Sequence, residues 1–308
     1  MRRSLISVLI AILVVCVFGF SQAGPPSGPG TPGERLRADG DIPGAIAEFE
    51  KTYAQTPNDQ KNVYNLACAL SINRQLDKCF QYLTIAVKMD PSLAPLIDPD
   101  LLTARDDKRW GEFEDGLIAT LNAKSNDPYK DAEYAKALWR LRAWDQAFFV
   151  EVGIAARKTG MKSSVVEALW KFKFMIQKRN QEELERLIAN KGWPRVGAVG
   201  SEAAMAAFLV MMHSEDGLQK KYLATIKKIC EEKELPWERY ASIYDRSLFN
   251  DNKPQKYGTH TRYNERTKTQ ELYPLEDESK VDEWRKEIGL APLGEYLKQF
   301  NIVFPLKK

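Results

Sequence analysis

Histidine and cysteine are scarce in this chain: two of the first and four of the second in 308 residues. No CxxC, HExxH or Cys/His cluster occurs, which excludes a structural zinc site of the ordinary kind. No Gly-x-Ser-x-Gly elbow is present, and no glycine-rich phosphate loop with a following Lys-Ser/Thr, so neither a covalent hydrolase nor a nucleotide-binding loop is supported. An excess of charge is missing too. The formal net charge is +3, and setting aside Arg2 and Arg3 leaves 43 basic residues against 42 acids. That balance argues against nucleic-acid binding, which needs a concentrated cationic face. With Cys16 set aside, Cys68, Cys79 and Cys230 are too few and too scattered for a disulfide framework. Cys68 and Cys79 read either as a bridge or as two small core residues.

What the chain does have begins with a secretory pattern. Arg2 and Arg3 precede an apolar run over 5–20, and Ser21-Gln22-Ala23 fits a small-x-small cleavage site before Gly24. Residues 1–23 therefore read as a signal peptide. Retention as a membrane anchor is the alternative, and lipidation at Cys16 a further one. All three readings carry the bulk of the chain out of the cytoplasm, to a secreted or periplasmic location. Residues 24–33 (GPPSGPGTPG) read as a flexible linker with no regular structure.

From residue 34 the pattern becomes helical, with a period of 34 residues. Ala45 pairs with Cys79, Phe49 with Leu83, and Pro57 with Pro91. Val63, Leu66, Ala67 and Leu70 fill the first-helix positions of the second unit. Helices are expected around 35–38 and over 42–53, 60–73 and 76–89. This order of small, large and proline positions resembles the tetratricopeptide repeat. Residues 105–110 (Arg-Asp-Asp-Lys-Arg-Trp) resemble the tail of many such arrays, with Lys108 in place of a proline. The resemblance covers 34–126 and implies a groove for a peptide or protein partner. Two repeats are too few to stand alone, so the array should pack on the domain C-terminal to it.

Asn126-Asp127-Pro128 marks an expected boundary before a helical domain over 127–308. Helices are expected over 131–158, 164–178, 181–190, 202–212, 218–233, 237–249, 281–288 and 293–300. Ser201 is expected to cap the helix 202–212, which is apolar almost all round and belongs at a domain centre. A β-hairpin is expected near 255–273. The whole is mainly α, a short helical array packed on an α-helical domain with a small hairpin.

Several phrases in this second region occur together in an ordered series. They include Asp145-Gln146, Gly192-Trp193-Pro194, Met212-His213, Asp245-Arg246, the run 253–260 (KPQKYGTH), the run 272–277 (LYPLED), Val281-Asp282 with Arg285, and the run 289–293 (GLAPL). Over roughly 140–298 they resemble the bacterial domain of unknown function 6624. The resemblance implies no activity. It departs from the family pattern at Met212 and at His260, where glutamine is usual.

The candidate polar site consists of His213, Asp245, Arg246, Tyr257, Thr259 and His260. His213 closes the most apolar helix, where it either caps carbonyls or serves a site near neutral pH. Asp245 either pairs with Arg246 or orients His213 for acid–base work while Arg246 holds an anion. Gly258 beside His260 would let a ligand approach, or His260 is an exposed hairpin residue. Two further features, 197–200 before a helix and the acids at 276–283, read more readily as helix starts than as anion or calcium sites. No cofactor or metal is expected. Protein or peptide binding through the repeats is the favoured expectation; a small-ligand receptor or hydrolase-type enzyme at the polar site is the alternative.

Overall fold

The computed structural model describes residues 30–304 apart from 127–128, 215 and 265. The expected signal peptide and most of the Pro/Gly spacer lie outside the described residues, as do two of the three residues of the expected 126–128 boundary. By internal contact the chain divides into two compact units, residues 26–213 and residues 214–308. The architecture is mainly helical with a small two-stranded antiparallel sheet.

The first unit starts inside the spacer that was expected to be unstructured. Helix α1 runs Pro32–Asp39. The Thr31 hydroxyl accepts from the Glu34 N–H, and the Glu34 carboxylate accepts from the Thr31 N–H. This reciprocal cap, with proline at the first helical position, starts a helix within the glycine- and proline-rich stretch. Helices α2 (Ile42–Gln55), α3 (Gln60–Ile72) and α4 (Leu76–Met89) come next. Side chains of Asp41 and Asp59 cap α2 and α3. Both members of two of the spaced pairs are buried, Ala45 with Cys79 and Phe49 with Leu83, whereas Pro57 is exposed and Pro91 half-buried. So are Val63, Leu66, Ala67 and Leu70. Cys68 and Cys79 are free thiols within this core, not a bridge.

After short turns at Ala94–Ile97, Pro99–Leu101 and Leu102–Arg105, helix α5 spans Trp110–Lys124. Arg37 reaches both Asp100 at 2.7 Å and Glu151 at 3.1 Å, and Arg157 donates to the Ala38 carbonyl at 2.6 Å. Arg140 meets the buried carboxylate of Glu114 at 2.6 Å. The first of these ties lies within 34–126, and the other three join it to residues 140–157 of the same unit.

Two helix boundaries differ from those expected. The stretch 131–158 is two helices, α6 (Ala132–Gln146) and α7 (Phe149–Thr159). At the break Phe148 takes a left-handed φ of 68°, without glycine or proline to explain it. The reason lies elsewhere in the chain. The Lys173 ammonium donates to the carbonyls of Asp145 at 2.7 Å and Ala147 at 2.8 Å. It replaces the amide donors that a continuing helix would have supplied. Conversely, 164–178 and 181–190 are one 28-residue helix, α8 (Ser164–Lys191). Asn180 does not end it, because its side-chain amide is buried and donates to the Leu141 carbonyl at 3.2 Å. Helix α9 (Ser201–Met212) is the apolar central helix; Ser201 is its first residue, and Gly200 stands at the cap position.

In the second unit α10 (Asp216–Glu231) packs on α11 (Trp237–Asn250). Strands β1 (Thr261–Asn264) and β2 (Thr269–Leu272) form the hairpin, with Thr261 opposite Leu272. Helices α12 (Val281–Glu287) and α13 (Leu293–Leu297) bring Val281, Leu293 and Leu297 onto Leu272 and Ile302 to make a core.

Candidate functional site

The sequence of α8 already contains an anomaly. Its buried positions keep a helical spacing through Val166, Trp170, Ile176, Leu184 and Leu187, yet Lys173, Gln177 and Asn180 lie on the same buried face. Three polar side chains on an inward face need partners. Lys173, fully buried, finds the two carbonyls at the α6–α7 break and also lies 3.5 Å from the centroid of the Phe149 ring.

The carboxylate of Asp145 shares that break. It is 1% exposed, and both its oxygens lie 2.8 Å from Nδ1 of His213 at the end of α9. Gln146 donates to the same carboxylate at 2.7 Å. Burial alone raises the Asp145 carboxyl; the His213 ring, the Lys173 ammonium and the Gln146 amide outweigh it and hold the group below the usual carboxylate range. Lys173 is lowered too, but by burial itself, which pushes its ammonium down to about 8 against the attraction of Asp145 and Glu151.

An ionised carboxylate is acceptor-only, so His213 donates to it from Nδ1. In the neutral ring this sets the tautomer, with the lone pair on Nε2. Among the described residues Nε2 has no hydrogen-bond partner, and the His213 side chain is 10% exposed. Its ring meets Phe149 edge-on at 6.2 Å. A fixed imidazole with one bare nitrogen can accept a proton, donate one, or hold a polar ligand. Among the described residues no group of three or more His, Cys, Asp or Glu side chains is placed to hold a metal ion.

The other expected site residues come together in the second unit, but as a framework. Asp245 on α11 is fully buried and accepts from the backbone N–H groups of Lys256 (2.8 Å), Tyr257 (2.9 Å) and Thr259 (3.0 Å), and from the Thr259 hydroxyl (2.8 Å). Four donors saturate a carboxylate. Asp245 therefore does not orient His213, whose carboxylate is Asp145, and it forms no ion pair with Arg246. Arg246 is half-buried, with its guanidinium 5.9 Å from the Phe249 ring and its Nε buried and unbonded. Tyr257 is buried against Tyr244 and Tyr240, at 5.6 and 6.4 Å between ring centroids.

His260 is buried, not exposed on the hairpin. Its Nε2 lies 2.9 Å from the Ser242 carbonyl, and burial with the Arg246 charge pushes its pKa down to about 4. Gln255 clamps the same residue at both ends, donating to the His260 carbonyl and accepting from its N–H. Gly258 is required by packing, since it has a φ of 72° and a Cβ there would sit 2.7 Å from a Leu293 methyl. Arg285 donates to the Tyr257 carbonyl and Tyr296 to that of Thr259. The acids at the start of α12 are also structural: Asp277 accepts from Ser279, and Asp282 from the Leu293 N–H.

The sequence reading thus named His213 but paired it with Asp245, whereas the structure places Asp145 against its ring. It also passed over Lys173 and Gln177, whose polar identity on an apolar helical face was the available signal.

Fold and site define a class: a helical protein with a buried His–Asp pair in one unit and a hydrogen-bonded loop framework in the other. Residues 145–308, more than half of the chain, match the model of the family of unknown function DUF6624, and the chain belongs to that family. The match opens on Asp145 itself. No curated protein and no solved structure matches the chain.

Proposed function

We propose that the polar cluster at the α6–α7 break binds a small ligand and moves a proton on it, with His213 Nε2 as the acid–base group. The observation that carries this reading is the pair of 2.8 Å approaches of Asp145 to His213 Nδ1, which leaves Nε2 unbonded among the described residues. Asp145 is a positioning residue here: it fixes the tautomer and stabilises the imidazolium that forms on protonation. The Lys173 ammonium holds the backbone at the break, so the carboxylate keeps its place. Diethyl pyrocarbonate, which acylates an unprotonated imidazole nitrogen, tests this directly. With only two histidines in the chain, His213 is expected to react first and His260 at least tenfold more slowly. Asp145→Asn should change the rate and pH dependence at His213. Equal reactivity of the two, or no reaction at His213, would overturn the reading.

A second reading concerns α1–α4. The shared burial of the pairs Ala45/Cys79 and Phe49/Leu83 favours a tetratricopeptide-like array with a peptide-binding surface, in a chain exported as a secreted or periplasmic protein. Selection of displayed peptides on the full chain should yield binders that α3 and α4 surface variants lose; binders indifferent to those variants would sink it.

A further inference from the structure

Large apolar side chains stand exposed at few places among the described residues, and most of those places fall together. Val150, Met161, Val165, Phe172 and Met175 lie within 26 residues, with exposures of 45–69%. On α8 the positions 165, 168, 172 and 175 have the spacing that makes one continuous helical stripe. Phe148 extends it, its ring meeting that of Phe172 edge-on at 5.2 Å. Met161 stands in the turn just before α8.

The charges around this stripe are mostly basic. Over 157–179 the exposed ionisable side chains are Arg157, Lys158, Lys162, Lys171, Lys178 and Arg179 against the single acid Glu167. Glu167 is itself paired with Lys171 at 2.8 Å. This local excess contrasts with a chain whose charges are otherwise nearly balanced.

We infer that this face of α7–α8 docks on an anionic lipid surface. The stripe would lie in the headgroup layer with the lysines and arginines among the phosphates. Charge decides between occupants. A second copy would bring the lysines of the two stripes against each other. Protein interfaces are depleted in lysine, whereas lipid-surface helices pair apolar faces with many lysines and arginines. Among the described residues no helix is long and apolar enough to cross a membrane, so the face lies on the surface.

The test uses the full chain with Cys16→Ser and a nitroxide on Ala168→Cys, an exposed stripe position. A second label at Lys51→Cys, exposed on α2, serves as control. The probes are vesicles of phosphatidylcholine alone or mixed with phosphatidylglycerol. On anionic vesicles the label at 168 is expected to lose at least half its collisions with a water-soluble nickel chelate and to gain collisions with oxygen. The label at 51 should change little. Neutral vesicles, 0.5 M salt or Lys171→Glu with Lys178→Glu should each return the first label to water. Because the label is local, attachment elsewhere in the chain does not mimic the result. A label at 168 that stays water-accessible on anionic vesicles overturns the inference. So does equal protection on neutral vesicles, concentration-dependent protection without lipid, or protection by an acidic helical peptide in place of lipid.

Discussion

Asp145 and Asp245 are both almost fully buried, and both lie on helices, but their donors are of different kinds. Asp245 takes three backbone N–H groups and a hydroxyl from one short loop, so every acceptor site is used on the protein's own chain. Asp145 takes an imidazole and a side-chain amide, and the imidazole retains a second, unbonded nitrogen. The histidines repeat the contrast. His260 is clamped by Gln255 and bonded to Ser242, while His213 has one nitrogen engaged. A buried carboxylate that closes its network is a staple. One that passes its bond to a titratable ring leaves chemistry over.

The sharpest way to break this comparison is Asp245→Ala. It strips the partners from three backbone donors in a buried loop, and the expected cost is about 3–5 kcal/mol, read by chemical denaturation. A loss below about 1 kcal/mol would show that the loop holds without its staple and that Asp245 is free for another role.

The pH dependence of His260 comes next. Its folded pKa of about 4 lies below the 6.5 of a free histidine. The unfolded chain binds the proton first, so the stabilisation from this residue is complete above pH 6.5 and is lost as pH falls through 4. The difference amounts to about 3 kcal/mol. His260→Gln, which can still donate to the Ser242 carbonyl, should flatten that part of the stability curve. An unchanged slope would mean that His260 is not neutral in the fold.

The smallest effect is expected at His213→Gln. A glutamine retains a donor for Asp145 but no base, so stability should fall by no more than about 1 kcal/mol. A loss of several kcal/mol would make His213 a staple like Asp245 and erase the contrast.

Much of the fold was legible before the structure. The 34-residue period located α2, α3 and α4 to within two residues, because buried small and large side chains recur there at helical spacing. The hairpin falls within the expected 255–273, but its first strand is Thr261–Asn264, and most of the alternating run over 255–263 is loop. The breaks were not legible. Nothing at Ala147–Phe148 stops a helix; the lysine that stops it is 26 residues away. Asn180 looks like a terminator, and only its bond to the Leu141 carbonyl shows otherwise. For the site the obstacle was similar. Residue types show that an aspartate can take donors, but three of Asp245's four are backbone amides, which every loop possesses. With that aspartate occupied, the partner of His213 had to be found across 68 residues.

The two histidines fall one in each compact unit. A chain grown with isotope-labelled histidine and nothing else labelled would give a magnetic-resonance spectrum of two ring systems, one for each half. One ring is packed away and bonded to a carbonyl; the other keeps a nitrogen whose chemical shift responds to whatever approaches it. The protein therefore carries its own pair of beacons, a silent reference and a responsive probe, and a compound that moves only the second has found its way to the aspartate at the helix break.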